Sequence, residues 1–523
     1  IKEKRIKREH QPSWFTDEIK LSIRERDYYK QKGDFDQYKK LRNKTKTLIK
    51  RSKRDFFNKA IKENKDSKLI WKNLKTIGNM HNKHSITLPG TINRDGKKID
   101  DKLEIVNELN KHFVNISNII KKVKFEEETF YSLKSKLDYA LQNNTFEITF
   151  ITPFEVKNIV DKLNVNKSTG TDGIGPMILK QCGDTITQSI AIIINNSISS
   201  GVFPDKLKEA RVIPIFKSGS KEGVENYRPI SILPTISKIF ERHIAEQIHR
   251  YFKDTNIIHK TQSGFRKDYS CHTALIRMID SWITDIDSGK FVGTVFLDLR
   301  KAFDLVDHEI LIHKLKLYHF SEKTLALFAS YLSNRQQSVI VKNAKSETLT
   351  MKSGVPQGSI LGPLLFLLYI NDIAFSCNNL DIDLYADDST MYDSGFKLTD
   401  IQRNLQINLD NFSNWCIYNN MSLHPTKTKC MLLGSKFKLK RTNQLTLKVN
   451  EICLENVSVQ KILGVFVDNT LSWQTHIDYV CKAVNVKVAL LKHILYYIND
   501  DMKNLFYNSY ILPVFDYCCT IWG

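Results

Sequence analysis

The sequence predicts a mixed helix-and-sheet fold, α/β or α+β, behind a basic helical N-terminal segment. Three observations predict it. Residues 16–76 lack proline, contain one glycine (Gly33) and are dense in Lys and Arg. From about residue 150, short β-branched and apolar runs alternate with stretches of helical periodicity, the pattern of strands packed against helices. Two of those runs end in carboxylates, at Asp298 and at Asp387-Asp388.

The N-terminal segment carries most of the charge. The 523-residue chain has a net charge of +21, and residues 1–80 hold 25 Lys and Arg against 11 Asp and Glu, a surplus of 14. A charge run is commonly a solvated helix face. Here Trp14, Phe15, Tyr28, Tyr29, Phe35, Tyr38, Phe56, Phe57 and Trp71 are interleaved with it. Basic residues attract a polyanion and aromatic rings stack on bases, so nucleic-acid contact is the expectation. The segment 1–90 reads as one basic unit with a linker, closed by turn signals from Leu88-Pro89-Gly90 to Asp95-Gly96. Residues 91–150 follow as a second helical stretch, with Leu103, Val106, Leu109 and Phe113 at helical spacing. Thr152-Pro153 then opens a further helix.

The nine cysteines include no C-x-x-C pair and no zinc spacing. A reduced, intracellular protein of the nucleus or cytoplasm is expected, with no membrane span. The first residue is Ile1, which suggests a piece of a longer product.

The strands come next. RVIPIF (211–216) is a short apolar strand followed by Lys217. FVGTVFLDL (291–299) reads as buried and carries Asp298 near its end; IDLYA (382–386) runs into Asp387-Asp388. Paired carboxylates at strand ends repel and raise each other's pKa. A divalent cation offsets that repulsion, and Mg²⁺ prefers hard carboxylate oxygens. Two ions held from neighbouring strands would form the clamp of nucleotidyl transfer. Asp-Asp-Ser after a strand is also ordinary turn chemistry, so Tyr-Ala-Asp-Asp alone decides nothing.

Nine segments taken in order decide more. They are TGTDGIGPMILK (169–180), ARVIPIFKSG (210–219), NYRPISIL (226–233), QSGFR (262–266), FLDLRKAFDLVDH (296–308), SGVPQGSILGPLLF (353–366), YADD (385–388), HPTKTKCMLL (424–433) and LGVFVDNTLS (463–472). Together they resemble the reverse transcriptases of non-LTR retrotransposons, of the jockey-like and related LINE types. The resemblance covers about residues 150–523, and residues 12–60 more loosely.

That resemblance implies an α+β right-hand polymerase: residues 91–150 as a helical N-terminal extension, fingers over 151–290, palm over 291–440, and palm end with a partial thumb over 441–523. It implies an RNA-directed DNA polymerase of a mobile element, working by target-primed synthesis on template RNA, primer or target DNA and dNTPs. Two Mg²⁺, or Mn²⁺, would be held by Asp298, the Leu299 carbonyl, Asp387 and Asp388, with Asp298 and Asp387 as the bridging carboxylates and Asp388 close beside them. Lys217 and Arg228 would grip the triphosphate, Phe303 would exclude a 2′-hydroxyl, and Gln357 would contact the incoming sugar and base. Gly354, Pro356 and Gly358 would approach template and primer. Lys427 would protonate pyrophosphate, with Lys429 a competing choice. Cys271 and His424 depart from the usual Thr and Asn. A nucleic-acid-binding remnant without catalysis is the alternative, against which all three aspartates are intact. Phe303 disfavours an RNA-making polymerase, and NYRPISIL and LGVFVDNTLS fit the retrotransposon type better than an intron maturase.

Overall fold

A computed structural model of the chain describes residues 14–62, 71, 74–75, 88–94, 96–119, 122–141, 144–377 and 380–523. It divides into two compact units, Ile1–Ser85 with Trp473–Gly523, and Ile86–Ser472.

The first unit joins the basic segment to the last helices of the chain. The expected helix over 16–76 breaks at Gly33, whose φ of +80° suits a residue without a Cβ. Helices Asp17–Gln31 and Phe35–Lys62 result, running antiparallel with Ser22 and Thr45 hydroxyls 2.8 Å apart between them. Thr16 caps the first helix and Asp17 and Glu18 complement its dipole. The continuation over 63–70, 72–73 and 76 lies outside the described residues. Leu74, Ile494, Ile498, Phe506 and Ile511 form a small buried core. Trp71 belongs to its margin, with its ring 5.8 Å from Phe506 and 5.6 Å from Tyr510. Lys53 sits 4.4 Å over Trp14, and Lys50 and Arg54 lie over Tyr496. Part of the basic and aromatic surface is thus spent on internal cation–π contacts. Tyr28 and Phe35 remain exposed.

The second unit is built on a five-stranded sheet. Its strands are β1 (Phe291–Asp298), β2 (Asp381–Tyr385), β3 (Asp388–Gly395), β4 (Lys429–Leu433) and β5 (Glu455–Asn456), in the order β5-β4-β1-β3-β2. Pairing is antiparallel except between β4 and β5. β1 is central and buried along nearly its whole length, as its run of Val and Phe requires. Gly293 is obligatory within it: a Cβ there would lie 2.5 Å from Ile401 and 2.8 Å from Leu405 of helix Leu398–Tyr418. The other face is covered by helix Cys271–Asp287, whose Trp282 ring meets Tyr392 of β3 at 5.7 Å.

A second sheet pairs Ala210–Phe216 antiparallel with Tyr227–Ile232 and parallel with Gln336–Val341. Helix Lys102–Val114 braces it through Asn110, which bonds Gln337 and the Glu347 carbonyl. Helix Leu361–Ile370 is apolar all round and buried all round. The buried carboxylate of Glu241 caps it by accepting the Ile360 N–H at 2.6 Å. Among the described residues no helix is long and apolar enough to cross a membrane, and all nine cysteines are free thiols.

Candidate active site

The turn between β2 and β3 presents the acidic pair. Tyr385 ends β2, Ala386 adopts φ +57°, and Asp388 begins β3 directly opposite Asp298 of β1. Directly opposed residues share a face with Cβ atoms about 5 Å apart. The QSGFR segment fixes this turn from one side. Ser263 donates to the Leu384 carbonyl at 2.8 Å, Leu384 donates to Thr261 at 3.1 Å, and buried Gln262 accepts from the Gly264 N–H. Gly264 has no room for a side chain, since a Cβ would stand 2.3 Å from the Ala386 nitrogen. From the other side His424 donates its N–H to the Asp298 carbonyl and Arg300 donates to Ser422, both at 2.8 Å.

These elements open onto a cavity of about 650 Å³. Lys217, Arg228, Asp298, Leu299, Phe303, Gln357, Asp387, Asp388 and Lys427 all line it, so residues drawn from six separate sequence motifs meet at one place. Lys217 and Arg228 sit on the hairpin of the second sheet, joined by the Lys217 N–H to Asn226 carbonyl bond at 2.9 Å. Phe303 stacks on Phe366 at 4.3 Å and meets Phe265 edge-on at 6.1 Å. A smaller cavity of about 110 Å³ reaches Asp298, Asp388 and Lys427 next to Gln460–Leu463 (460–463).

Gly354, Pro356 and Gly358 are not among the residues that line the cavity, although Gln357 between them is. Gly354, at φ +82°, presses on the backbone of Asp304, and Gly358, at φ +123°, leaves only 2.3 Å between a notional Cβ and the Ser231 carbonyl. The glycines permit close approach, but to neighbouring chain.

The electrostatics are those of a strained carboxylate group opposed by cations. Burial, then the charges of Asp387 and Asp298, push the Asp388 carboxyl up to about 6. Burial and Asp298 also raise Asp387, while Arg228 and Lys217 pull it back. Lys217 is lowered by burial and by Arg228 and Lys427, against the attraction of Asp298 and Asp387. Among the described residues no three acidic, histidine or cysteine side chains are already gathered as a closed ligand set. The donors nonetheless suit a hard divalent cation: they are carboxylates from paired strands whose mutual repulsion such a cation would relieve.

Several cavity residues were given no role by the sequence. Asp304, Arg300, Lys301, Ser422 and His424, the last noted only as a departure from Asn, all line the wall. Asp304, Arg300 and Lys301 lie within FLDLRKAFDLVDH, so the signal was their spacing from Asp298. Ser422 and His424 come into place only through strand-like pairing with residues 298–300.

Behind the Lys217–Arg228 hairpin stands His112, whose pKa is lowered to about 4 by burial, with Lys301 assisting. Its Nε2 is buried without a partner, so protonation would leave an unpaired N–H. The folded pKa lies below the unfolded value, so the unfolded chain takes up the proton first. Stability contributed by neutral His112 is therefore present above about pH 6.5 and lost as pH falls toward 4. The urea midpoint of the wild type is expected to fall between pH 7 and pH 5 by more than that of His112→Gln; equal shifts would contradict this.

Comparison with known proteins bears on the same residues. The sequence profile of the family described as reverse transcriptase (RNA-dependent DNA polymerase) matches residues 217–486. The chain is 29% identical over 415 residues to the probable RNA-directed DNA polymerase from transposon BS of Drosophila melanogaster, covering 76% of this chain and 44% of that protein. It is 30% identical over 406 residues to the probable RNA-directed DNA polymerase from transposon X-element of the same organism, covering 75% and 43%. With the RNA-directed DNA polymerase from mobile element jockey it shares 28% identity over 388 residues, covering 72% and 42%. The chain spans less than half the length of these curated relatives.

Proposed function

The chain belongs to the reverse transcriptase (RNA-dependent DNA polymerase) family, whose profile matches over half of it, and from that premise we propose that its 650 Å³ cavity is the site of RNA-templated DNA synthesis for a mobile element. The observation that carries this reading is the meeting of Asp298, Asp387 and Asp388 with Lys217 and Arg228 across one cavity. A triphosphate needs cations along its length and acidic oxygens at the reacting end, and this lining offers both. Asp298 and Asp388 also border the second, smaller cavity.

Reverse transcriptases of this family generally use divalent metal ions. Here Asp298, Asp387, Asp388 and the Leu299 carbonyl would hold two Mg²⁺, or Mn²⁺, which when bound lower the pKa of a primer 3′-hydroxyl and neutralise charge on departing pyrophosphate. Lys217 and Arg228 orient the triphosphate, Arg228 as a fork and Lys217 as a point charge. Lys427, on the same wall, supplies a proton to the leaving group. Phe303, backed by Phe366, closes the space a 2′-hydroxyl would take, which favours dNTPs. The sheet carrying β1 to β4 would be the palm (291–440), residues 151–290 the fingers, and residues beyond about 470 the start of the thumb. The basic first unit would hold template RNA or target DNA by displacing counterions. Free thiols throughout the described residues support an intracellular ribonucleoprotein.

The test is primer extension on matched RNA and DNA templates. The expected result is dNTP incorporation on the RNA template that stops on chelation of divalent ions. Extension on DNA alone, or none on either, would reject the reading.

A further inference from the structure

The strand–turn segment that carries Asp298 also holds the SGVPQG loop, and one of its contacts has chemical consequences. Four bonds tie the loop down. Val355 donates to the Phe303 carbonyl at 2.9 Å and Gly354 donates to Val306 at 2.8 Å. His308 Nε2 meets the Gly354 carbonyl at 2.8 Å, and Ser231 donates to the Gln357 carbonyl at 2.7 Å. The backbone of Gln357 is thereby fixed without any help from its side chain. The side chain has a separate partner: Gln357 Nε2 donates to Asp304 Oδ1 at 2.7 Å. Both residues line the main cavity.

A carboxylate only accepts hydrogen bonds, whereas an amide has one donating and one accepting end. Asp304 therefore dictates which end of the Gln357 amide is turned toward it. We propose that Asp304 is a positioning residue for nucleotide selection: it holds the Gln357 nitrogen, so that the Gln357 carbonyl oxygen is the end offered to the cavity as a hydrogen-bond acceptor. The matching ligand feature is a donor on the nucleotide, a sugar hydroxyl or a base amino group. The inference rests on the polymerase reading of the cavity. Asp304 acts only through Gln357 and makes no claim on the metal-binding carboxylates. Its carboxyl, pushed up to about 6 by burial against the help of Gln357, Lys301 and Arg228, is the acceptor at neutral pH.

Asp304→Asn tests this at constant side-chain volume. An Asn amide pairs with either end of Gln357, so the fixed orientation is lost. The KM for dNTP in RNA-templated extension should rise about tenfold, the scale of one hydrogen bond to a charged acceptor. The kcat should stay within about threefold and the thermal midpoint should hold, because the main-chain ties remain. Gln357→Ala should raise KM likewise, and the double variant should match Gln357→Ala within about twofold, the signature of coupled residues. Multiplying effects, an unchanged KM in Asp304→Asn, or loss of its folding transition would each overturn the inference. Wild-type chain that extends no primer would overturn the polymerase reading along with it; wild-type extension with an unchanged variant KM overturns the inference alone.

Discussion

Replacing Asp387 by Asn should abolish Mg²⁺-dependent dNTP incorporation on an RNA template while sparing RNA binding. Asn keeps the volume and loses the charge, so the turn after β2 remains in place. What disappears is an anionic oxygen on the cavity wall shared with Asp298 and Asp388. Loss of an outer partner of a metal site costs about 10- to 100-fold, so a direct ligand should cost roughly 10³-fold or more. The same substitution should raise the thermal midpoint. Asp388 is held up at about 6 partly by Asp387, so at neutral pH the folded state carries crowded like charges. The sign follows from linkage: a carboxyl whose folded pKa exceeds its unfolded one favours the fold at low pH, and that advantage is lost as pH rises through about 6. Removing Asp387 relieves that cost. Activity near wild type would sink the metal assignment, and a lowered midpoint would sink the account of the carboxylates as strained. A filter-binding measurement on labelled RNA separates both from misfolding.

The second large effect concerns the choice of sugar. Phe303 does not stand as an isolated gate. Its ring stacks on Phe366 at 4.3 Å and meets Phe265 edge-on at 6.1 Å, so two rings hold it in place. Forcing an extra atom against such packing costs about 1–3 kcal/mol. Phe303→Ala should therefore lift rNTP use relative to dNTP use by roughly 10- to 100-fold, read as the ratio of the two kcat/KM values. An unchanged ratio would remove Phe303 from sugar selection. Some loss of stability is expected too, since Phe366 belongs to the buried helix and would lose a stacking partner.

Much of the site was legible in the sequence because it lies in short motifs at strand ends. Asp298, Asp387, Lys217 and Arg228 were each singled out only once nine short segments were taken together in order, and all four line one cavity. The strands around them were equally plain: the buried run 291–299 ends one residue earlier, at Asp298. What escaped was whatever depends on pairing between distant segments. Nothing local to Asp304 marks it out; its role depends on Gln357, 53 residues later, whose side-chain nitrogen donates to it. Ser422 and His424 join the wall only because residues 422–424 pair with 298–300. The glycines of SGVPQG were expected to permit close backbone approach, and Gly354 and Gly358 pack closely on Asp304 and Ser231; which neighbouring backbone they meet depends on distant segments and is not written in the motif. The basic segment was read as helical, and Gly33, at positive φ, divides its described part into two antiparallel helices. Its aromatics looked available for stacking, but Trp14 is taken by Lys53 and Trp71 by the core of its own unit.

DNA synthesis on an RNA template at one cavity, through Asp298 and its neighbours, can be read at a single step. The most direct measurement is single-nucleotide extension of a labelled DNA primer on an RNA template, run side by side with wild type and Asp298→Asn, with dNTP and with rNTP. Wild type is expected to extend with the complementary dNTP and little with rNTP, and the variant not at all although it still binds the duplex. Extension by Asp298→Asn at the wild-type rate, or equal use of both nucleotides by the wild type, would contradict it.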